Sequence, residues 1–494
     1  MFKEMIGGFA AAAILFSSSG VEAARVTLTL DDAIDLALRN NRQIEQSFED
    51  REAARWALSE VRRNSGLTLI WSTSLSRIGG RFYNQRRENH YQIKYLAEND
   101  RNVDGQGNKI NPKLYPSYTS EMTNTFALRM NLYTGGRLEN LREAARYRLN
   151  AADMSLEDTR QQVKYRTAAA YYQVLARAAY VKVQQEAVRL LEEHLRNVEI
   201  QYEVGVVAKS DMLATNVQLA NVQKALNSAQ GEYLTAVGQL NNLIGLAVGT
   251  EIEPSEPTDF SPYHLTEAEC LEYALAHRPD GVAARYMVQR AAASTKAAKS
   301  GYRPTVSAVA RGNFSGEGNF TADHVHESWA VGLEMQWNVF DNGITSAQVE
   351  QAKATERKAE SQARQQLEAI ELEVHSAYIA LRTAEKNIAT TSEAVAKAEE
   401  EFAIAQIRYI EGVDTNLNVM NAQEKVVETR NNFYSAVYDY NTSRAQLERA
   451  IGKPVMTDVE AYVDAERAGG SSKRSLEAAR VTLRGDGEME IPFK

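Results

Sequence analysis

Cysteine, proline and long apolar runs are all scarce in this chain. The single cysteine, Cys270, excludes an internal disulfide, and its place in a helical pattern marks a packed small apolar side chain. Nine prolines in 494 residues leave room for long uninterrupted helices. None of the seven histidines pairs with a nucleophile motif, and no phosphate loop or zinc signature occurs, so nothing points to an enzyme or a cofactor. The net charge of −9 argues against nucleic acid as a partner. Past the N-terminus no run approaches about 18 apolar residues, which excludes a spanning helix but not barrel strands, whose alternation raises no hydropathy peak.

The N-terminus has what the rest lacks. Lys3 precedes the apolar run MIGGFAAAAILF and a small-residue stretch, SSSGVEAA. Residues 1–23 therefore read as a signal peptide cleaved after Ala23, with Val21 at −3, and the chain is expected to be exported.

The remainder is one unit written twice. Tyr202 pairs with Tyr409 (409−202 = 207), Gly205 with Gly412 and Gly245 with Gly452, all at the same offset. Gly136 and Gly343 share it, as do Ala170-Tyr171 and Ala377-Tyr378. Upstream, LTLDDAIDLALRNN matches LTEAECLEYALAHR at an offset of 237 (275−38), so the first copy carries 30 extra residues (237−207) between about 66 and 132. The expected repeats are 24–255 and 256–455, followed by a Gly- and charge-rich tail, 456–494, expected to be partly disordered.

Each copy reads helix, hairpin, long helix, tip, helix. Val174, Val181, Val188, Leu195 and Tyr202 lie seven apart, with Leu191 and Val198 on the alternate step. Leu381, Ile388, Val395, Phe402 and Tyr409 repeat the series, predicting coiled-coil helices over 137–202 and 344–409. At 1.5 Å per residue each would be roughly 100 Å long, matched by shorter helices near 30–64 and 209–245 stacked end to end. Segment 328–340, SWAVGLEMQWNVF, strictly alternates, putting Trp329, Val331, Leu333, Met335 and Trp337 on one face. Segment 124–133 does likewise with Phe126, Leu128, Met130 and Leu132; LTLIWSTSL (67–75, with Trp71) and TVSAVARG (305–312) are the weaker partners. Trp329 and Trp337 would stand about 26 Å apart along one strand, near the spacing of two aromatic girdles.

Four strands cannot close a barrel, and an open sheet in lipid leaves unpaired edges. Two copies would give a filled eight-stranded barrel; three give twelve strands and a lumen, which is the preferred reading. The fold class is thus mainly α with a small β part. A non-conducting periplasmic or surface coiled-coil scaffold is the alternative.

In these residues the chain resembles the TolC-like outer-membrane efflux proteins, the outer-membrane factors. The likeness rests on the paired opening motifs above, on LYTGGRLENLREA and VFDNGITSAQVEQA after the strands, and on the tip motifs YEVGVVAKSDMLAT and YIEGVDTNLNVMNA, in that order on the duplication. It implies a homotrimer with a twelve-stranded barrel in outer-membrane lipid, and a trimeric helical α-barrel extending into the periplasm. It also implies a periplasmic adaptor (membrane fusion) protein and an inner-membrane pump or ABC-type secretion transporter as partners. The implied function is an exit duct for small molecules such as drugs, or for proteins in type I secretion.

Gly205 and Gly412 are free to end the long helices in the left-handed conformation, and Ser210 and Asp211 open the returning helix. The resemblance makes these tips the periplasmic mouth, with Tyr409 as the gating tyrosine and Asp211 as the aspartate it contacts. Asp just after a tip glycine could instead be an N-cap, with Tyr409 as the last apolar position of its heptad series. Asp414 stands where the family has a basic residue, and Asn418 and Asn421 stand where it has aspartates, so the charge network of the mouth must differ. Trp71, Trp329 and Trp337 are the expected membrane-interface residues, and 79–122 the expected long extracellular loop.

Two weaker motifs remain. His324-x-His326 lies in a hairpin loop. DRNVDGQGNKIN (100–111) places Asp100, Asn102, Asp104 and Gly105 at calcium-loop positions, but Asn111 falls where a bidentate Glu belongs. Neither is taken as a metal site.

Overall fold

The computed structural model describes residues 26–79, 118–255, 262–317 and 325–453. The signal peptide, the calcium-like loop, His324 and the tail lie outside the described residues. The fold is built of two short helices, α1 (Leu30–Asn40) and α2 (Arg42–Arg63), two strands, β2 (Leu67–Gly79) and β3 (Tyr118–Tyr133), then α3 (Arg137–Glu203) and α4 (Lys209–Ile244). The second copy follows with α5 (Glu267–His277), α6 (Pro279–Lys299), β5 (Thr305–Glu317), β6 (Val325–Gln336), α7 (Ile344–Ile410) and α8 (Asn416–Ala450). Strands β1 (Val26–Leu28) and β4 (Ile252–Pro254) pair in parallel at the ends of the first copy.

Helices α3 and α7 are 67 residues each and begin 207 residues apart (344−137). The opening motifs turn out to be capping boxes. Thr29 accepts from the Asp32 amide and Thr266 from that of Glu269, while each carboxylate reaches back to its cap. The first helix of each copy is not continuous over 30–64, as its pattern suggested. It breaks at Asn41 (φ −73°, ψ 126°), and the second copy breaks at Arg278 (φ −63°, ψ 125°). Pro279 excludes the helical conformation for Arg278. No proline follows Asn41, whose side chain accepts from the Gln43 amide at 2.9 Å and donates to the Leu243 carbonyl at 3.1 Å. In both copies the break packs on the glycine that ends the last helix. A Cβ on Gly245 (φ +81°) would stand 2.7 Å from the Asn40 Cβ.

By contacts the described residues form two units. One, Asp50–Asp153 with Ala283–Gln365, holds the four-stranded sheet, order β2-β3-β5-β6, antiparallel throughout. The strands run further than their alternation suggested: β2 reaches Gly79 and β3 starts at Tyr118, so residues 118–122 of the expected loop are strand. At the other end β6 stops at Gln336, leaving Trp337 one residue outside it.

The other unit comprises Met1–Glu49, Met154–Val282 and Gln366–Lys494, and its described residues hold α1, α4, α5 and α8 with most of α3 and α7 and the short strands β1 and β4. Its core in the first copy gathers Leu38, Tyr171, Val174, Leu175, Leu240 and Ile244. The fully buried Tyr171 hydroxyl ties the ends of the repeat, lying 2.8 Å from the Leu28 carbonyl and 2.7 Å from that of Ser255. In the second copy Ile370, Val374, Leu381, Tyr440 and Leu447 close around Cys270. At the centre Arg278 grips Asp280 through two nitrogens (2.9 and 2.7 Å), and Glu373 bridges Arg278 and Arg449.

The heptad seams of the two copies largely agree. In α7 the predicted series holds: Leu381, Ile388, Val395, Phe402 and Tyr409 are buried or half-buried, with Ala384, Ala398 and Ala405 buried between them. The α3 series matches it, with Val174 buried and Val181, Val188 and Leu195 half-buried, except that Tyr202 is exposed; Leu191 and Val198 of the alternate step are buried, and with them Gln184, Ala187 and His194. α3 turns toward α8, where the Gln423 side chain donates to the Ala187 carbonyl at 2.9 Å.

Candidate functional site

Two places carry candidate function, the sheet and the helical tip. Residues opposite one another across strands share a face, so the ladder register sorts the side chains. One row reads Trp71, Phe126, Gly312, Trp329. The next rows on that face are Leu69, Leu128, Ala310, Val331, then Leu67, Met130, Ala308, Leu333. The opposite face carries Thr68, Arg129, Val309, Gly332 and Ser72, Thr125, Asn313, Ser328.

This second face is cross-linked by polar side chains. Thr125 donates to Asn313 at 3.0 Å, Ser307 to Asn131 at 3.1 Å, and Arg311 faces Glu334 at 3.6 Å. The apolar face is open: Trp329 is 83 % exposed and Leu333 73 % in the single chain. Burying such a patch is worth ~25 cal/mol per Å², so a face this apolar calls for an apolar environment. Trp71 donates its ring N–H to Asn124 at 3.3 Å, and Trp337 donates to the Tyr302 carbonyl at 3.2 Å from just beyond β6. Strands β2 and β6 are edges, each with one side unpaired among the described residues.

At the tip, α3 and α7 both end on a left-handed glycine, Gly205 (φ +79°) and Gly412 (φ +75°). The Val206 amide reaches back to the Gln201 carbonyl (2.8 Å) and that of Val413 to Arg408 (2.9 Å), closing each helix end. Helix α4 is capped at Ala208 without a side-chain bond, so Ser210 and Asp211 are its second and third residues and Asp211 is not the N-cap. Asp414 accepts from the Thr415 amide and the Asn418 side chain, and the Arg408 guanidinium lies 3.6 Å away. The Asn418 and Thr415 bonds hold its carboxyl below the usual range. Asn418 and Asn421 are exposed.

Tyr409 packs with Val198, Ala405, Val419 and Ala422, and its hydroxyl is buried with no hydrogen-bond partner among the described residues. Burial, and after it the nearby Asp211 charge, push that hydroxyl above its ordinary pKa. Asp211 and Tyr409 are thus neighbours without a direct bond.

The bonds at this tip run through residues that the sequence reading did not single out. Asn416 accepts from or donates to three groups: His194 Nε2 lies 2.6 Å from its Oδ1, and its amide donates to the Asp211 carbonyl (3.1 Å) and to Thr215 Oγ1 (2.9 Å). The His194 ring also lies 5.4 Å from that of Tyr409. A polar residue at a seam position of α3 was the available signal.

Residues 33–246 and 270–453 match the family described as outer membrane efflux protein. The chain is 23 % identical over 351 residues to the outer membrane efflux protein BepC of Brucella suis, covering 68 % of this chain and 74 % of that one. It is 22 % identical to the alkaline protease secretion protein AprF of Pseudomonas aeruginosa, covering 88 % of this chain and 86 % of that one. The CmeC outer membrane channel of Campylobacter jejuni superposes with a TM-score of 0.71 at 16 % identity, covering 90 % of each chain. A duplicated helical hairpin, a sheet with one apolar and one polar face, and a family match over both copies lead to one conclusion: the chain belongs to the outer membrane efflux protein family.

Proposed function

We propose that three copies of the chain assemble into one outer-membrane duct, each giving four strands to a twelve-stranded barrel and two helical hairpins to a periplasmic tunnel. The observation that carries this reading is the sheet, apolar on one face, polar on the other, with β2 and β6 unpaired at its edges. In hydrocarbon an unpaired edge is not tolerated, and twelve strands leave room for a lumen lined by the polar face. Nothing comparable supports the scaffold reading.

The duct is passive. Its energy would come from an inner-membrane pump or ABC-type transporter engaged through a periplasmic adaptor protein. Small molecules are the cargo suggested by likeness to an efflux protein, and secreted proteins by likeness to AprF over most of both chains. The tip around Asp211 and Tyr409 is the periplasmic gate, with Gly205, Gly412, Ser210 and Asp414 shaping its turns. Trp71, Trp329 and Trp337 mark the membrane interfaces.

Mass measurement of the purified protein in detergent, followed by conductance in planar bilayers, tests the assembly. A trimer that conducts is expected; a stable monomer, or a trimer that never conducts, removes the reading. Deleting the gene and profiling both drug sensitivity and secreted proteins separates the two cargoes.

A further inference from the structure

The tip holds a second set of residues placed to govern it. Asn416 is the first residue of α8 and is 5 % exposed; His194, on α3, is 8 % exposed. The Asn416 side chain is fully occupied, with its oxygen toward His194 and its amide hydrogens toward the Asp211 carbonyl and Thr215. One side chain of the second repeat therefore bonds both helices of the first repeat's hairpin, α3 and α4. Seven residues along α8, Gln423 donates to the Ala187 carbonyl, seven residues before His194 on α3. The two rungs obey one heptad register, with Val419 and Leu191 buried between them.

The duplication supplies an internal control. At offset 207 the counterparts of His194 and Asn416 are Glu401 and Lys209, both exposed, and Glu401 pairs elsewhere, with Lys425 at 2.8 Å. Within one chain the equivalent positions of the other copy make no such contact, while these are sealed with satisfied polar groups. A buried polar pair adds little to stability over apolar packing, but it fixes register, because any slip leaves its members unpaired. Such a contact is suited to holding one arrangement and giving it up as a unit.

We propose that Asn416 and His194 form the clasp that fastens the second repeat's tip to the first within each chain, and so are positioning residues for the closed gate. The proposal rests on the tip being the gate. Asp211 belongs to the clasp through its main-chain carbonyl, whatever its carboxylate does toward Tyr409.

Single-channel conductance of detergent-purified trimers in planar bilayers tests this at pH 7.5. Asn416→Leu removes all three bonds, and His194→Phe keeps a ring against Tyr409 but removes the donor. Both should conduct several-fold more than the unmodified trimer at normal yield. His194→Gln, whose amide can still donate to Asn416, should conduct as the unmodified trimer does. If Asn416→Leu trimers do not form, the His194→Phe and His194→Gln pair carries the comparison alone. Unaltered conductance of the Phe variant in intact trimers would overturn the clasp, as would equal gains from Phe and Gln. Tyr409→Phe combined with Asp211→Ala is measured alongside. If that variant conducts more while the clasp variants do not, the clasp alone has failed; if none of them alters conductance, the tip is not the gate.

Discussion

Trp71 and Phe126 stack across β2 and β3 with ring centroids 6.0 Å apart and planes within 6° of parallel. The ladder extends their row through Gly312 to Trp329 on the far edge strand. An aromatic row on three of the four strands at one height is what a membrane interface selects, the tryptophans combining an apolar body with a polar tip. Leu333 lies two rows below it on the same face, and Glu334 on the opposite one.

Leu333→Arg should therefore cost ~2–4 kcal/mol if Leu333 sits in hydrocarbon. Glu334→Gln, which loses only the 3.6 Å contact with Arg311, should be nearly silent. Heat-stability of the folded trimer on gels reads both, and equal tolerance would show that the face does not meet lipid.

Tyr409→Phe combined with Asp211→Ala should raise conductance without reducing trimer yield. The Tyr409 hydroxyl has no hydrogen-bond partner among the described residues, so Phe removes no bond made there and keeps the packing against Val198 and Val419. Lower yield with unaltered conductance would mean these residues only pack the tip.

Acid should weaken the tip through His194. Burial lowers the pKa of this ring against the opposing pull of the Asn416 bond, so the neutral form is favoured in the closed tip. The groups set against it are Tyr409 on α7 and Asn416 on α8, and neither the bond nor the ring contact brings a carboxylate to it. Its contribution is complete above about pH 6.5 and is lost as pH falls through the lowered value. Conductance measured from pH 7.5 to 5 should rise, and His194→Gln should flatten that rise; an identical profile in the variant would acquit the histidine.

Arg278→Met should destabilise the chain by ~3 kcal/mol near neutral pH, because it takes the buried guanidinium away from both Asp280 and Glu373, leaving Asp280 to Gln366 and the Gly281 amide and Glu373 to Arg449. Burial works to raise the Asp280 carboxyl, but the Arg278 bonds override it and hold it low. That stabilisation is present above about pH 4 and fades as pH falls through the lowered value, so the variant's deficit should shrink in acid. Thermal unfolding followed by circular dichroism at pH 7 and pH 3 measures the difference, and a deficit independent of pH would assign the loss to packing alone.

Repeated features were the most readable in the sequence. The 207-residue offset located both 67-residue helices and both tip glycines, because duplication lets each copy vouch for the other. The break at Arg278 could be inferred from Pro279, whereas that at Asn41 depends on side-chain bonds to Gln43 and Leu243 that no local pattern announces. The α3 seam was read only in part for a related reason. Apolar spacing gave its two adjacent stripes, but the burial of His194 and Ala187 beside them involves Asn416 and Gln423 on a helix more than 200 residues away (416−194 = 222). Polar residues at seam positions carry little weight in a hydrophobic pattern, which is why His194 escaped notice while Tyr409 did not.

The parallel pairing of Val26 with Ile252 closes the first repeat across a long stretch of chain. The two strands are 226 residues apart (252−26), with all of α1 to α4 between them. Closing so long a loop is slow, and the pair is too short to drive it; the packed helices must bring it together. With Tyr171 bound to the carbonyls at both ends, the first repeat is closed by its own residues and presents a formed surface against which α8 can find its register.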